Sequence, residues 1–134
     1  MGLSGFPITE IDSLRTANTI FEDGNKGFFY SETPSYDIYY YEKSTKKHTK
    51  LIERTFLLGS YSNNDFSVTS NGIYFMDRVA VKQNAIYYYS FADKSISYVV
   101  PSKDNYPSFV ISDDEKFIYL IESYDNNSYL KLLE

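Results

Sequence analysis

The chain of 134 residues contains no cysteine. Disulfide staples, thiolate-bound zinc and a thiol nucleophile are therefore excluded, and the fold must be held by packing. No run of about 18 apolar residues occurs. The opening MGLSGFPITE, Met1 to Glu10, has neither the basic nor the apolar region of a signal peptide, and Phe6 stands where a myristoylation motif carries Ser or Thr. The expectation is a cytoplasmic chain without a membrane span. Basic residues are outnumbered, 13 Lys and Arg against 18 Asp and Glu for a net charge of -5, which argues against binding a nucleic-acid backbone. No long stretch follows a helical period, so an amphipathic membrane helix has no candidate.

Aromatic residues, by contrast, are plentiful. Tyr occurs 15 times and Phe 10 times, 19% of the chain, and both favour pleated, half-buried surfaces. With 43% hydrophobic residues the chain has enough apolar surface for one domain with a real core.

The order of these residues repeats. KGFFYSE from Lys26, NGIYFMD from Asn71 and KFIYLIE from Lys116 align on Gly27, Gly72 and Phe117, 45 residues apart at both steps. A second strand-like run follows each: IYYYEK at Ile38, IYYYSF at Ile86 and YLKLLE at Tyr129. A shorter one precedes each: NTIFED at Asn18, DFSVTS at Asp65 and SFVISD at Ser108. Turn-forming segments, EDGNKG from Glu22, SNG from Ser70 and SDDEK from Ser112, join the first two runs into hairpins. After the IYYY runs, KSTKKH and ADKS lead into HTKLIE at His48 and SISYVV at Ser95. One unit is thus four antiparallel strands, A to D.

Four short strands per unit of this length is the period of a β-propeller blade. Tyr39, Tyr40 and Tyr41, like Tyr87, Tyr88 and Tyr89, place aromatic rings on both faces of a strand, so both faces need cover, which stacked blades supply. Lys46, Lys47 and Lys50 on the first D strand suit an outer edge that resists pairing. The reading is an all-β fold of about three four-stranded antiparallel blades, over residues 18–53, 64–100 and 107–134, in a single domain spanning 1–134. A three-sheet β-fold of another kind is the competing architecture.

The last third, YYYSFADKSISYVVPSKDNYPSFVISDDEKFIYLIESYDNNSYLKLLE, resembles the C-terminal end of TolB-type and related WD-like propellers. Ser112, Asp113, Asp114, Glu115 and Lys116 stand where that family writes Ser-Pro-Asp-Gly-Lys, with Asp113 and Glu115 departing from it. At the level of the repeat the resemblance covers residues 19–134. It implies a propeller, a fold used for interaction platforms, sensor domains and partners of peptidase domains.

Three blades do not close a propeller, which takes about four to eight. ITEI, residues 8–11, occupies the place of a D strand before the first A strand, and the chain ends at Glu134 after a C strand. Two arrangements follow: a fragment of a longer propeller, or a homodimer in which two copies form a six-bladed ring, each donating residues 8–11 to the other's last blade.

The chain carries no catalytic, metal or cofactor motif, and the expectation is a protein that is not an enzyme and binds no cofactor. His48, the single histidine, falls among lysines on a strand read as exposed, where a catalytic triad has no pocket. Asp113, Asp114 and Glu115 lack the spacing of a calcium loop and read as turn chemistry, as does EDGNKG. Asn126, Asn127 and Ser128 form a sequon without a secretion signal. Resemblance to propellers implies a binding face made by the D–A and B–C loops. In those loops Arg15, Arg54, Tyr61, Arg78 and Tyr106 are the candidate contacts, since Arg and Tyr combine area with directional donors. The functional expectation is a non-catalytic module that binds a protein or peptide. Its alternatives are the propeller part of a larger enzyme, such as a prolyl-peptidase-like hydrolase, and a carbohydrate-binding propeller.

Overall fold

The computed structural model describes residues 17–32, 36–54, 66–80, 83–102, 108–124 and 127–133. Within them the chain is all β, in three antiparallel sheets. The first contains β1 (Ala17–Asp23), β2 (Gly27–Glu32), β3 (Asp37–Glu42) and β4 (Lys47–Ile52). The second contains β5 (Phe66–Val68), β6 (Gly72–Ala80), β7 (Gln83–Ser90) and β8 (Ile96–Ser102). The third contains β9 (Ser108–Ile111), β10 (Ile118–Tyr124) and β11 (Asn127–Leu133). Strand order in each follows chain order, as hairpin connections dictate. The three sheets close no ring among the described residues.

The repeat written in the sequence is a repeat of register. Tyr30 pairs with Tyr39 and Phe29 with Tyr40, and 45 to 48 residues later Phe75 pairs with Tyr87 and Tyr74 with Tyr88. In the third sheet Leu120 pairs with Lys131 and Tyr119 with Leu132. The outer strands repeat an irregularity too. Ile38 pairs with Ile52 but Tyr39 with Lys50, and Ile86 pairs with Val100 but Tyr87 with Tyr98, so Leu51 and Val99 are each one residue too many. Such a bulge breaks the alternation of faces. It turns two adjacent apolar residues, Leu51 with Ile52 and Val99 with Val100, toward the next sheet.

Alternation along the strands then builds two cores. Phe29, Ile38 and Ile52 of the first sheet pack on Phe66, Ile73, Phe75 and Tyr89 of the second. From the opposite side of the second sheet, Met76 and Ile86 pack on Phe109, Ile111 and Leu120 of the third. The second sheet therefore has a leading face, turned to the first sheet, and a trailing face, turned to the third, and the faces of the other two sheets are named by the same register. The tyrosine runs serve both, with Tyr87 and Tyr89 leading and Tyr88 trailing.

The turns obey backbone chemistry more than residue preference. Gly24 has φ 53° between β1 and β2, and Lys46, Lys94 and Glu115 adopt φ of 57° to 58° in the β3–β4, β7–β8 and β9–β10 turns, a region glycine enters more easily. Gly27 and Gly72 are required for another reason. A Cβ on Gly27 would overlap the carbonyl oxygen of Tyr41, and one on Gly72 that of Tyr89.

Strand pairing extends further than apolar pattern alone implies. The second B–C connection, expected as the loop that carries Arg78, is mostly ladder, with Asp77 paired to Ala85, Arg78 to Asn84 and Ala80 to Gln83. Likewise Ser123 pairs with Ser128 and Tyr124 with Asn127. Backbone hydrogen bonds do not depend on side-chain polarity, so the hairpins continue beyond the buried core. Residues 8–11, expected as a donated strand, lie outside the described residues.

Candidate functional site

A cleft of about 770 Å³ opens between the trailing face of the first sheet and the leading face of the second, at the end carrying the A–B and C–D turns. Its inner wall is aromatic because alternation brings Phe21, Phe29 and Tyr40 of neighbouring strands to one face. Phe29 lies 4.7 Å from Tyr40 and stacks at 5.6 Å on Phe91 from the second sheet. Tyr89 meets Phe91 edge-on at 6.1 Å.

Polar groups line the mouth. Asp23 ends β1 at a tight turn in which the Lys26 N–H donates to the Asp23 carbonyl oxygen at 3.0 Å. Two residues beyond Phe21, its carboxylate falls on the same face, where it accepts the Tyr40 hydroxyl at 2.8 Å. Burial, this hydrogen bond and the nearby charges of Asp23 and Glu42 push the Tyr40 phenol up to about 12. Glu22, Lys94 and Asp113 complete the charged rim. The cleft thus pairs stacked rings with an acidic edge.

A second, smaller cleft of about 400 Å³ recurs between the second and third sheets. Tyr88 and Val99 line it at the positions that Tyr40 and Leu51 hold in the first. Burial and the charge of Glu115 raise the phenols of Tyr74 and Tyr88 there. Two hydrogen bonds strap its rim: Thr69 donates to Glu115 at 3.0 Å and Asn71 donates to its other oxygen at 2.7 Å. No such strap crosses the first cleft among the described residues.

Of the candidate contacts taken from the sequence, Arg15, Tyr61 and Tyr106 lie outside the described residues. Arg78 is on β6, opposite Asn84, in a strand instead of a loop. Arg54 is buried, at 5% exposure, at the end of the first sheet away from the cleft. Its Nε donates to the Tyr36 carbonyl oxygen and its Nη1 donates to the Met76 carbonyl oxygen at 3.2 Å. The Asp37 carboxylate accepts the Arg54 backbone N–H at 2.8 Å and pairs with Lys50 at 3.2 Å, a contact that raises the Lys50 ammonium pKa. Arg54 therefore joins two sheets.

His48 differs from its expected solvated setting. It is half-buried on the leading face of the first sheet, its Nδ1 is 2.8 Å from the Tyr30 hydroxyl, and its ring lies 4.7 Å from that of Tyr41. The acidic turn behaves as turn chemistry. Ser112 donates to Asp114 at 2.7 Å and the Lys116 N–H donates to the same oxygen at 3.1 Å, holding the Asp114 carboxyl below its usual range. Among the described residues no group of three His, Cys, Asp or Glu is arranged to hold a metal ion, and no helix is long and apolar enough to cross a membrane.

The inter-sheet cleft was not singled out from sequence, where the tyrosine runs read as core between sheets, with a carbohydrate-stacking surface as the alternative. Its one signal is the pairing of Asp23 with the middle tyrosine of the first run, which only register reveals. No protein-family model matches the chain, and no curated protein matches it significantly.

Proposed function

We propose that the three sheets are successive blades of a β-propeller-type module, as the resemblance to TolB-type and WD-like propellers implies, and that the module is non-catalytic and binds a protein or peptide partner. The recurrence of register, bulge and trailing-face packing from sheet to sheet supports the blade reading. The observation that carries the binding reading is the unstrapped cleft between the first two sheets. Its volume suits one or two side chains of a peptide, within the range of about 300 to 1,000 Å³ typical of ligand pockets.

The chemistry of the lining names the preferred guest. Phe29, Tyr40 and Phe91 offer ring faces, and Glu22, Asp23 and Asp113 surround them with negative charge that Lys94 only partly offsets. A peptide presenting an aromatic or basic side chain satisfies both, through stacking or cation–π contact and through the carboxylates. The single histidine lies on the other face of the first sheet, which supports a binding role over hydrolytic chemistry in the cleft.

The test is a peptide array probed with the 134-residue chain, followed by the same array probed with Phe91→Ala and Asp23→Asn variants whose circular dichroism and melting match the parent. Expected is selection of peptides rich in aromatic and basic residues, with at least tenfold weaker capture by either variant. Equal capture by both would remove the cleft as the site. The competing surface is the loop face expected from the sequence, and loss of capture on changing Arg15, Tyr61, Arg78 or Tyr106 instead would assign binding to that face.

A further inference from the structure

We infer that the guest of the cleft between the first two sheets is an arginine side chain of the partner, its guanidinium flat against the rings of Tyr40 and Phe91 and donating to the carboxylates of Asp23 and Asp113. This deepens the proposed binding reading and rests on it.

The cleft gathers more of the fold than the two sheets that wall it. Phe21, Glu22 and Asp23 end β1, Val68, Thr69 and Ser70 end and follow β5, and Ile111, Ser112 and Asp113 end and follow β9, so the inner strands of all three sheets finish around it. Two carboxylates from different sheets thereby line one opening. Asp23 is half-buried, and its Oδ2 accepts the Tyr40 hydroxyl at 2.8 Å, while its Oδ1 accepts no bond among the described residues. Asp113 is exposed and unbonded among them, because Asp114 holds that turn instead.

The other charges nearby do not use these acceptors. Lys94 lines the cleft but forms no ion pair among the described residues. Lys26, Lys43 and Glu42 line a separate hollow beside Tyr40. Glu22 lies one residue from Asp23 on β1, opposite Phe28, so it adds negative field from the other face of the strand.

Three kinds of guest can be compared on this lining. An aromatic side chain would cover Oδ1 of Asp23 without offering a donor, and an acceptor buried unmet is costly. An ammonium meets the acceptor but has no flat surface for the rings. A guanidinium does both, stacking on an aromatic face while its edge carries several donors in one plane. The rings are placed for this. Phe29 is buried against Tyr40 at 4.7 Å and Phe91 at 5.6 Å, which leaves the half-buried Tyr40 and Phe91 to receive a guest. Since the Tyr40 hydroxyl bonds Asp23, the open oxygen lies off the edge of the Tyr40 ring, within reach of the edge of a guanidinium stacked on it.

The experiment titrates four capped pentapeptides, each with one arginine, citrulline, lysine or phenylalanine between glycines, into the isotope-labelled 134-residue chain and follows the backbone amides of Tyr40 and Phe91 by NMR. Expected is binding of the arginine peptide about tenfold tighter than that of citrulline, which keeps the shape and loses the charge, and about threefold tighter than lysine or phenylalanine. Asp23→Asn and Asp113→Asn should each reduce the ratio of arginine to citrulline by about threefold or more. Asp113 makes no bond within the described chain, so its variant reads the preference even where Asp23→Asn fails to fold. Citrulline or phenylalanine bound at these amides as tightly as arginine would overturn the inference and leave the cleft a peptide site. An arginine preference unchanged in either folded variant would overturn it as well. No shift in the cleft with any of the four peptides would also overturn it, and only equal capture by parent and variants on the peptide array would remove the broader binding reading.

Discussion

The Arg54 guanidinium donates to the carbonyl oxygen of Met76 at 3.2 Å, bridging the first and second sheets where no side chain of β6 is needed. The same group donates to Tyr36 on its own sheet and lies over the Phe66 ring at 5.9 Å. Replacing it by Met keeps some of the packing and removes every charged donor. Hydrogen bonds from a charged group contribute about 1.5 to 3 kcal/mol each, so Arg54→Met should lose roughly 3 kcal/mol. Urea unfolding measures this, and a loss below about 0.5 kcal/mol, the scale of a neutral surface change, would show the bridge to be incidental.

Gly27 and Gly72 share a constraint. In both, the backbone of the neighbouring tyrosine strand occupies the volume of a Cβ, at the carbonyl oxygen of Tyr41 or Tyr89. A carbonyl cannot swing aside as a side-chain tip can, so Gly→Ala at either position must spread the hairpin. We expect each to cost about 2 to 4 kcal/mol, with the two effects alike because the positions are equivalent. Equal stability of Gly72→Ala and parent in chemical denaturation would mean the strands accommodate the methyl.

Lys46 and Glu115 share a φ of 58° but differ in their surroundings. Lys46 is exposed at its turn, and replacing it by Gly relieves a left-handed strain of about 1 to 2 kcal/mol while adding about 0.5 to 1 kcal/mol of chain entropy to lose on folding. Lys46→Gly should be neutral to slightly stabilising. Glu115→Gly relieves the same strain but also removes the bonds from Thr69 and Asn71 that hold the third sheet to the second. It should be less stable than Lys46→Gly by about 1 to 2 kcal/mol, the worth of two partly exposed hydrogen bonds to a carboxylate. Thermal melts that rank the pair the other way would deny the strap a structural role.

Much of this architecture could be read from the chain. Spacing of Gly27 and Gly72, turn residues between runs and aromatic rings on alternate positions placed three antiparallel units correctly, because these signals are local. Two things were not local. The extra residues Leu51 and Val99 look like ordinary members of apolar runs, and only pairing with Tyr39 and Tyr87 shows them as bulges. Arg54 resembles any loop arginine until the Met76 carbonyl of the next sheet is beside it. The cleft was missed for the same reason, since Asp23 and Tyr40 are 17 residues apart and meet only through the register of β1, β2 and β3.

That meeting also makes the cleft sensitive to alkali. Neutral Tyr40 donates to Asp23, while its phenolate would face the charges of Asp23 and Glu42 in a half-buried position, so the folded phenol titrates at about 12. An unfolded tyrosine titrates near about 10. The folded value is the higher one, so the stabilisation from neutral Tyr40 is fully present below about pH 10 and is lost as pH rises toward about 12. Tyr74, Tyr87 and Tyr88 are raised by burial as well, so the parent's profile alone does not isolate Tyr40. The difference between parent and Tyr40→Phe does. At neutral pH the variant should be less stable by about 1 kcal/mol for the lost hydrogen bond. Across pH 10 to 12 the parent should lose this advantage, its stability falling to that of the variant or below it. Parallel profiles over that window, measured by urea unfolding alongside phenolate absorbance, would place the Tyr40 hydroxyl in water and remove Asp23 as its acceptor.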